Sequence, residues 1–383
     1  MNPRRQLEDL ANQKLLRGIT DTESPNKDLR ISRDGKELWN FASNDYLGLA
    51  THPSLENAFI EGINRYGTGS TASRLVTGSS PAHRKLEETI ASAKHTEAAL
   101  SFSSGYTTAL STIPVIAGKG DFIILDKLAH ACLIDAARIS EATLRVFRHN
   151  DVAKLENLLK SLREKHSEAR LLVITESVFS MDGDLCPLLE ILDLCETYEA
   201  QLLLDEAHAV GVLGPSGMGL AEQLGVQDRV HFQMGTLSKA LGLSGGYIAA
   251  PGEWIDLIIN RARAFIYTTA PPPALAHAAC EALRIIASDE GLQLRATLFE
   301  NIAYFGSQHP SAILPIVLGE NEAALEASKQ LKEEGFLIPA IRYPTVPRNL
   351  ARLRITLSAA HPAEAVRKLA ESIKRFTEVT GNP

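Results

Sequence analysis

Lys239 stands in Gly235-Thr-Leu-Ser-Lys239-Ala-Leu-Gly242, among small and apolar residues that follow an apolar run at 232–234. Such surroundings desolvate an ammonium, lower its pKa and make the amine a usable nucleophile and base. An isolated lysine is far more often an exposed charge, so its companions decide the matter. Upstream, with one helix and one strand between, Gln201-Leu-Leu-Leu-Asp205-Glu-Ala-His208 delivers a carboxylate at the end of an apolar run and then an imidazole. A carboxylate so placed can hold a pyridine nitrogen in its protonated form, the electron sink of carbanion chemistry. His208 can reach a phenolic oxygen on the same ring. Alone, the segment is equally a helix-capping Asp beside an unrelated His.

Two further segments supply what such a ring needs. Ser101-Phe-Ser-Ser-Gly105-Tyr-Thr-Thr108 reads as strand, small-residue turn and helix start. The free N–H groups there form an anion site suited to a phosphate, or a plain N-cap. Thr236 offers a hydroxyl to a phosphate oxygen. His130, in Asp126-Lys-Leu-Ala-His130-Ala, follows another apolar run. Its imidazole could stack on a flat heteroaromatic ring or be a satisfied core histidine. An amine, a carboxylate, an imidazole and an anion cradle are together the parts that pyridoxal 5'-phosphate (PLP) requires for chemistry on an amino acid.

Two other patterns fail on context. Asp205-Glu-Ala-His208 matches an ATPase box, but no G-x-x-x-x-G-K-[ST] loop precedes it. Gly242-Leu-Ser-Gly-Gly246 matches the hydrolase nucleophile elbow, yet it comes before an apparent strand rather than after one.

The elements that position these residues follow from periodicity. Short apolar runs at 98–102, 122–125, 171–175, 201–204, 232–234 and 247–250 predict strands. Between two of them Val152, Leu155, Leu158, Leu159 and Leu162 fall at helical spacing, and 187–198 is a second helix opened by Pro187. Leu7, Leu10, Leu15 and Leu16 predict a helix over 1–18, and the polar stretch 21–28 a loop. After Pro271-Pro-Pro273 come a helix at 274–287 and strands near 313–317 and 352–357. The expected class is α/β: an N-terminal helix and arm (1–48), a large domain on a mostly parallel sheet (49–280) and a smaller C-terminal α+β domain (281–383). In such sheets ligands sit beyond the carboxyl ends of the strands, where Asp205, Ser177 and Ser103-Ser104-Gly105 fall.

Composition excludes several alternatives. The 383 residues carry 39 basic and 46 acidic side chains, a net charge of −7, which argues against a nucleic-acid or anionic-membrane partner. Cys132, Cys186, Cys195 and Cys280 are scattered without a C-x-x-C pair, so no metal site is expected and a reducing cytoplasm is the simplest setting. Met1-Asn-Pro-Arg-Arg-Gln6 opens no apolar signal core, and no apolar run is long enough to span a membrane.

Taken together, the segments resemble the α-oxoamine synthases, PLP enzymes of fold type I. The resemblance runs from about residue 37 to 375. It rests on Asn40-Phe-Ala-Ser-Asn-Asp-Tyr-Leu-Gly48, Phe179-Ser-Met-Asp-Gly-Asp184, Asp205-Glu-Ala-His208, Thr236-Leu-Ser-Lys239 and Ala340-Ile-Arg-Tyr-Pro-Thr-Val-Pro347. Arg148-His-Asn-Asp151 and Ser43-Asn-Asp45 are shared with 5-aminolevulinate synthases and look unlike 2-amino-3-ketobutyrate ligases. The stretch Ala351-Arg-Leu-Arg-Ile-Thr-Leu-Ser-Ala-Ala-His361 is similar to the branch that joins L-alanine to a pimeloyl thioester, on CoA or a carrier protein, in biotin synthesis.

The resemblance implies Lys239 as the Schiff-base lysine and proton carrier, Asp205 on the ring nitrogen and His130 on the ring face. It puts Ser180 and His208 on the ring's oxygen side with Ser177 nearby. The phosphate would fall to Ser104, Gly105, Tyr106 and Thr236, helped by Thr268 or Thr269 of a second subunit. Arg354 and Asn44 would hold the amino-acid carboxylate, for which the planar guanidinium fork suits, with Arg17 and Thr345 along the acyl-donor path. A homodimer with a shared site is implied. The alternatives are a related synthase condensing glycine or serine, and a non-catalytic regulatory protein of the same fold. Against the latter stand the intact Lys239, Asp205 and His130.

Overall fold

The structure, a computed structural model, describes residues 2–22, 29–306 and 309–380. Of the expected loop at 21–28, residues 23–28 lie outside the described residues. Each apolar run becomes a strand: β1 (Ala98–Phe102), β2 (Phe122–Asp126), β4 (Leu171–Glu176), β5 (Gln201–Asp205), β6 (Phe232–Thr236) and β7 (Gly246–Ala250). Every residue of β2, β4, β6 and β7 is buried. Strands covered on both faces have no reason to alternate, which is why these segments read as unbroken apolar runs.

A seventh strand, β3 (Thr143–Phe147), was not expected from the sequence. It lies at the sheet edge, beyond β2, and exposes Thr143, Arg145 and Val146. A half-solvated edge strand carries no apolar run to find. The sheet order is β1-β7-β6-β5-β4-β2-β3. Only β7 runs against the rest, antiparallel to β6 and β1. The carboxyl ends of β2, β4, β5 and β6 therefore share one edge, and they finish on Asp126, Glu176, Asp205 and Thr236.

Helices cover the sheet. The helix Gly105–Ile116 places Ala109, Ile113 and Ile116 in a core with Leu125, Leu203, Phe232 and Ile248. The helix Val152–Lys165 buries Leu155, Leu159 and Leu162, the spacing read from sequence, behind an Asp151 N-cap that accepts the Lys154 N–H at 2.9 Å. Each such leucine contributes about 1.5–3 kcal/mol of burial. The N-terminal helix is shorter than the expected 1–18. It spans Pro3–Asn12, and Lys14 at φ 54° turns the chain aside before Leu15 and Leu16. Among the described residues no helix is long and apolar enough to cross a membrane.

The chain divides into two compact units, 45–180 with 184–297, and 1–44 with 181–183 and 298–383. The sequence reading set its divisions at 48 and 280. Residue 280 falls inside the unbroken helix Pro273–Ile286. In the smaller unit Ala351–Thr356 pairs antiparallel with both Ile313–Gly319 and Ala340–Ile341. A second small sheet joins Arg30–Arg33, Lys36–Asn40 and the distant Phe336–Leu337.

Candidate active site

Asp205 ends β5 in the middle of the sheet, 4% exposed, with its Oδ1 accepting the Ala207 N–H at 2.9 Å. Burial drives its carboxyl above the ordinary range, while the charge of Lys239 and the Ala207 N–H draw it back. His208 follows on the same turn. Its Nε2 lies 2.7 Å from Lys239 Nζ and its Nδ1 2.5 Å from the Tyr46 hydroxyl. A neutral imidazole donates at one nitrogen and accepts at the other, so Lys239, His208 and Tyr46 form a path along which a proton can move.

Lys239 is half-buried in a turn after β6, closed by the Gly242 N–H donating to the Lys239 carbonyl at 2.9 Å. Gly242 has φ 69°, and a Cβ there would stand 2.4 Å from the Ala50 nitrogen. Only glycine fits this approach, which explains the residue in the sequence pattern.

The strand, turn and helix start read at 101–108 form as such. Ser104 is the N-cap of Gly105–Ile116, its hydroxyl accepting the Thr107 N–H at 3.1 Å. A Cβ added at Gly105 would extend toward Thr236, whose Cβ is 3.8 Å away. Glycine thus leaves clear the space between the helix start and that hydroxyl. Thr236 Oγ1 donates to the Gly245 carbonyl at 2.7 Å and accepts the Ser238 N–H at 3.2 Å, so its proton must turn from Gly245 to serve a phosphate oxygen. His130 caps the helix Ala131–Ile139, and its Nδ1 accepts the Cys132 N–H at 3.2 Å. Burial, with a smaller push from Lys239, holds the imidazole below its usual pKa against the pull of Asp205. It is therefore neutral, as ring stacking prefers.

Ser104, Gly105, Tyr106, His130, Asp205, His208, Thr236 and Lys239 all line one cavity of about 230 Å³, room for a single phosphorylated ring rather than a dinucleotide. These residues fit PLP: anion donors on one wall, a buried carboxylate and an amine on others. Ser177 and Ser180 do not line that cavity. The Ser177 hydroxyl and N–H both donate to the Asp205 carbonyl, at 3.2 and 2.9 Å, and so brace β4 against β5. Ser180 is buried in the loop that follows. Thr268 and Thr269 line a separate cavity with Leu75, Val76 and Tyr267.

In the smaller unit both terminal nitrogens of Arg354 donate to Asn44 Oδ1 at 3.2 Å, and Nη1 also to Thr356 Oγ1 at 3.0 Å. Arg17 Nη2 donates to Thr345 Oγ1 at 3.2 Å. Five residues on the cavity wall went unread as site residues in the sequence: Cys132, Glu176, Ala207, Met234 and Ser238. Cys132 looked like any small buried hydrophobe. Glu176 ends an apolar run just as Asp205 does, and the same strand-end rule finds it.

A sequence profile of the family described as aminotransferase class I and II matches residues 36–373. Among curated relatives, an 8-amino-7-oxononanoate synthase of Geobacter sulfurreducens is 43% identical over 386 residues, covering 98% of each chain. One of Maricaulis maris is 46% identical over 351 residues, 91% of this chain and 89% of its own. Among solved structures, a serine palmitoyltransferase from S. paucimobilis with a bound PLP–myriocin aldimine superposes with a TM-score of 0.91 at 26% identity, covering 99% of this chain and 97% of that one.

Proposed function

The chain belongs to the aminotransferase class I and II family, and from that premise we propose that it is an α-oxoamine synthase acting as an 8-amino-7-oxononanoate synthase in the cytoplasm. In this reading L-alanine condenses with a pimeloyl thioester, carried on CoA or a carrier protein, with release of the thiol and CO2. The relatives named for that product support it, at 41–46% identity over most of the chain. The observation that carries it is Lys239 Nζ, 2.7 Å from His208 Nε2 in the cavity that Asp205 closes.

When bound, PLP supplies an electrophilic carbon and a pyridinium electron sink for the amino-acid carbanion. Ser104, Gly105, Tyr106 and Thr236 hold its phosphate, Asp205 keeps the ring nitrogen protonated and His130 packs on the ring. Lys239 Nζ removes the Cα proton and later returns one, with His208 as its neighbour in that transfer. Arg354 takes the amino-acid carboxylate, steadied by Asn44, while Arg17 and Thr345 meet the acyl donor. We further propose a homodimer in which Thr268 or Thr269 of one subunit reaches the phosphate held by the other.

Two measurements test the reading. Thiol release from pimeloyl-CoA is expected with L-alanine and not with glycine. A Lys239→Ala variant is expected to lose both turnover and the borohydride-reducible visible absorbance of the holoenzyme; continued turnover would falsify the assignment. The likeness to serine palmitoyltransferase favours a second reading, in which L-serine is the amino acid. Faster release with L-serine than with L-alanine would establish that one instead.

A further inference from the structure

We propose that Glu176 is the neutral counterpart of Asp205, a buried carboxylic acid that keeps its proton while Asp205 is ionised and that positions His130 through the main chain. The inference deepens the cofactor reading above and rests on it. Glu176 and Asp205 end neighbouring parallel strands and are register partners. Register partners on one face point the same way, and both side chains line the same cavity. They are 2% and 4% exposed.

Two carboxylates so enclosed cannot both be ionised without ample positive charge nearby. From the surrounding elements Glu176 faces Asp205 on β5, Lys239 in the turn after β6, the His130 N–H and, on β2, Asp126. His208, on the same wall, has its Nε2 2.7 Å from Lys239 Nζ, so an ammonium there donates to a neutral imidazole and the pair carries one positive charge rather than two. Burial keeps His130 neutral, and burial together with the charge of Asp205 holds the Cys132 thiol protonated. One lysine thus serves two acids, and one of them keeps a proton. The choice falls on Glu176, whose pKa is pushed up to about 8, first by burial and then by the charge of Asp205. A protonated ring nitrogen held by Asp205 favours the same partition.

The second role is geometric. Glu176 Oε1 accepts the His130 N–H at 2.6 Å. That nitrogen belongs to the N-cap of Ala131–Ile139, from which the imidazole enters the cavity. Glu176 therefore acts on the ring through His130, as a positioning residue.

Glutamine mimics a neutral acid in this place: its carbonyl accepts the His130 N–H and its amide donates where the acid proton would. Methionine has similar bulk and accepts nothing. Wild-type, Glu176→Gln and Glu176→Met proteins are titrated with PLP, and the visible absorbance of each holoenzyme is followed against pH. The Gln variant is expected to keep the wild-type pH midpoint, because no charge is lost. The Met variant is expected to bind PLP about tenfold or more weakly, because a buried N–H loses its acceptor. A midpoint lowered by about one unit or more in the Gln variant means that an anion was removed, and overturns the proposal. So does a Met variant with wild-type affinity, or a Gln variant that does not fold where the wild type does. If the wild type itself takes up no PLP, the cofactor reading falls and this inference with it, an outcome separate from the other three.

Discussion

Asp205 shows how much one buried charge can decide. An anion 4% exposed is costly unless positive charge faces it, and here Lys239 does. Asp205→Asn preserves the shape and the bond from the Ala207 N–H but cannot balance a protonated ring nitrogen. Turnover is expected to fall about a hundred- to a thousand-fold, with an unchanged thermal melt as the control. An Asn variant that keeps wild-type kcat would remove Asp205 from the role. At this scale the sequence was informative where residue type and local setting agree, as for Lys239, His208, His130 and Ser104, which share one cavity. It was silent on direction. Nothing local to Ser177 says that its hydroxyl turns to the Asp205 carbonyl and not to the cavity.

Between elements, His149 links the end of β2 to the segment after β4. Its Nδ1 is 3.1 Å from Asp126 Oδ1 and its Nε2 2.8 Å from Asp184 Oδ2, with its ring edge-on to Phe179. Burial alone would lower its pKa, but hydrogen bonds to the two carboxylates outweigh that and raise it to about 10 from an unfolded 6.5. The sign follows from linkage: a raised pKa gives stability that is complete below about pH 6.5 and is lost as pH rises through about 10. His149→Ala is expected to cost about 1–3 kcal/mol at neutral pH, allowing for screening. Its denaturation midpoint should also vary less than the wild type's between neutral and alkaline pH. Equal pH dependence in both proteins would show that the clamp contributes nothing. The sequence marked Arg148-His-Asn-Asp151 as a family feature, but only the fold shows what the imidazole joins.

For the whole molecule the open matter is assembly. Thr268 and Thr269 line a cavity apart from that of Lys239 within the chain, which accords with a phosphate contact made across subunits. Sedimentation is expected to report a particle of two chains. A Thr268→Ala, Thr269→Ala double variant should bind PLP about tenfold more weakly. A single-chain particle with full PLP affinity would defeat the shared-site reading. The amino-acid sequence by itself determined the α/β class, the apolar strands, the helix-start cradle and most of the cavity's side chains. Each of these is written in a few adjacent residues as an apolar run followed by a polar end. Only the tertiary structure decided the edge strand β3, the joining of Lys36–Asn40 to Phe336–Leu337 and the pairing of Glu176 with Asp205. Strand register and hydrogen-bond direction depend on partners distant along the chain, and no local spacing encodes them.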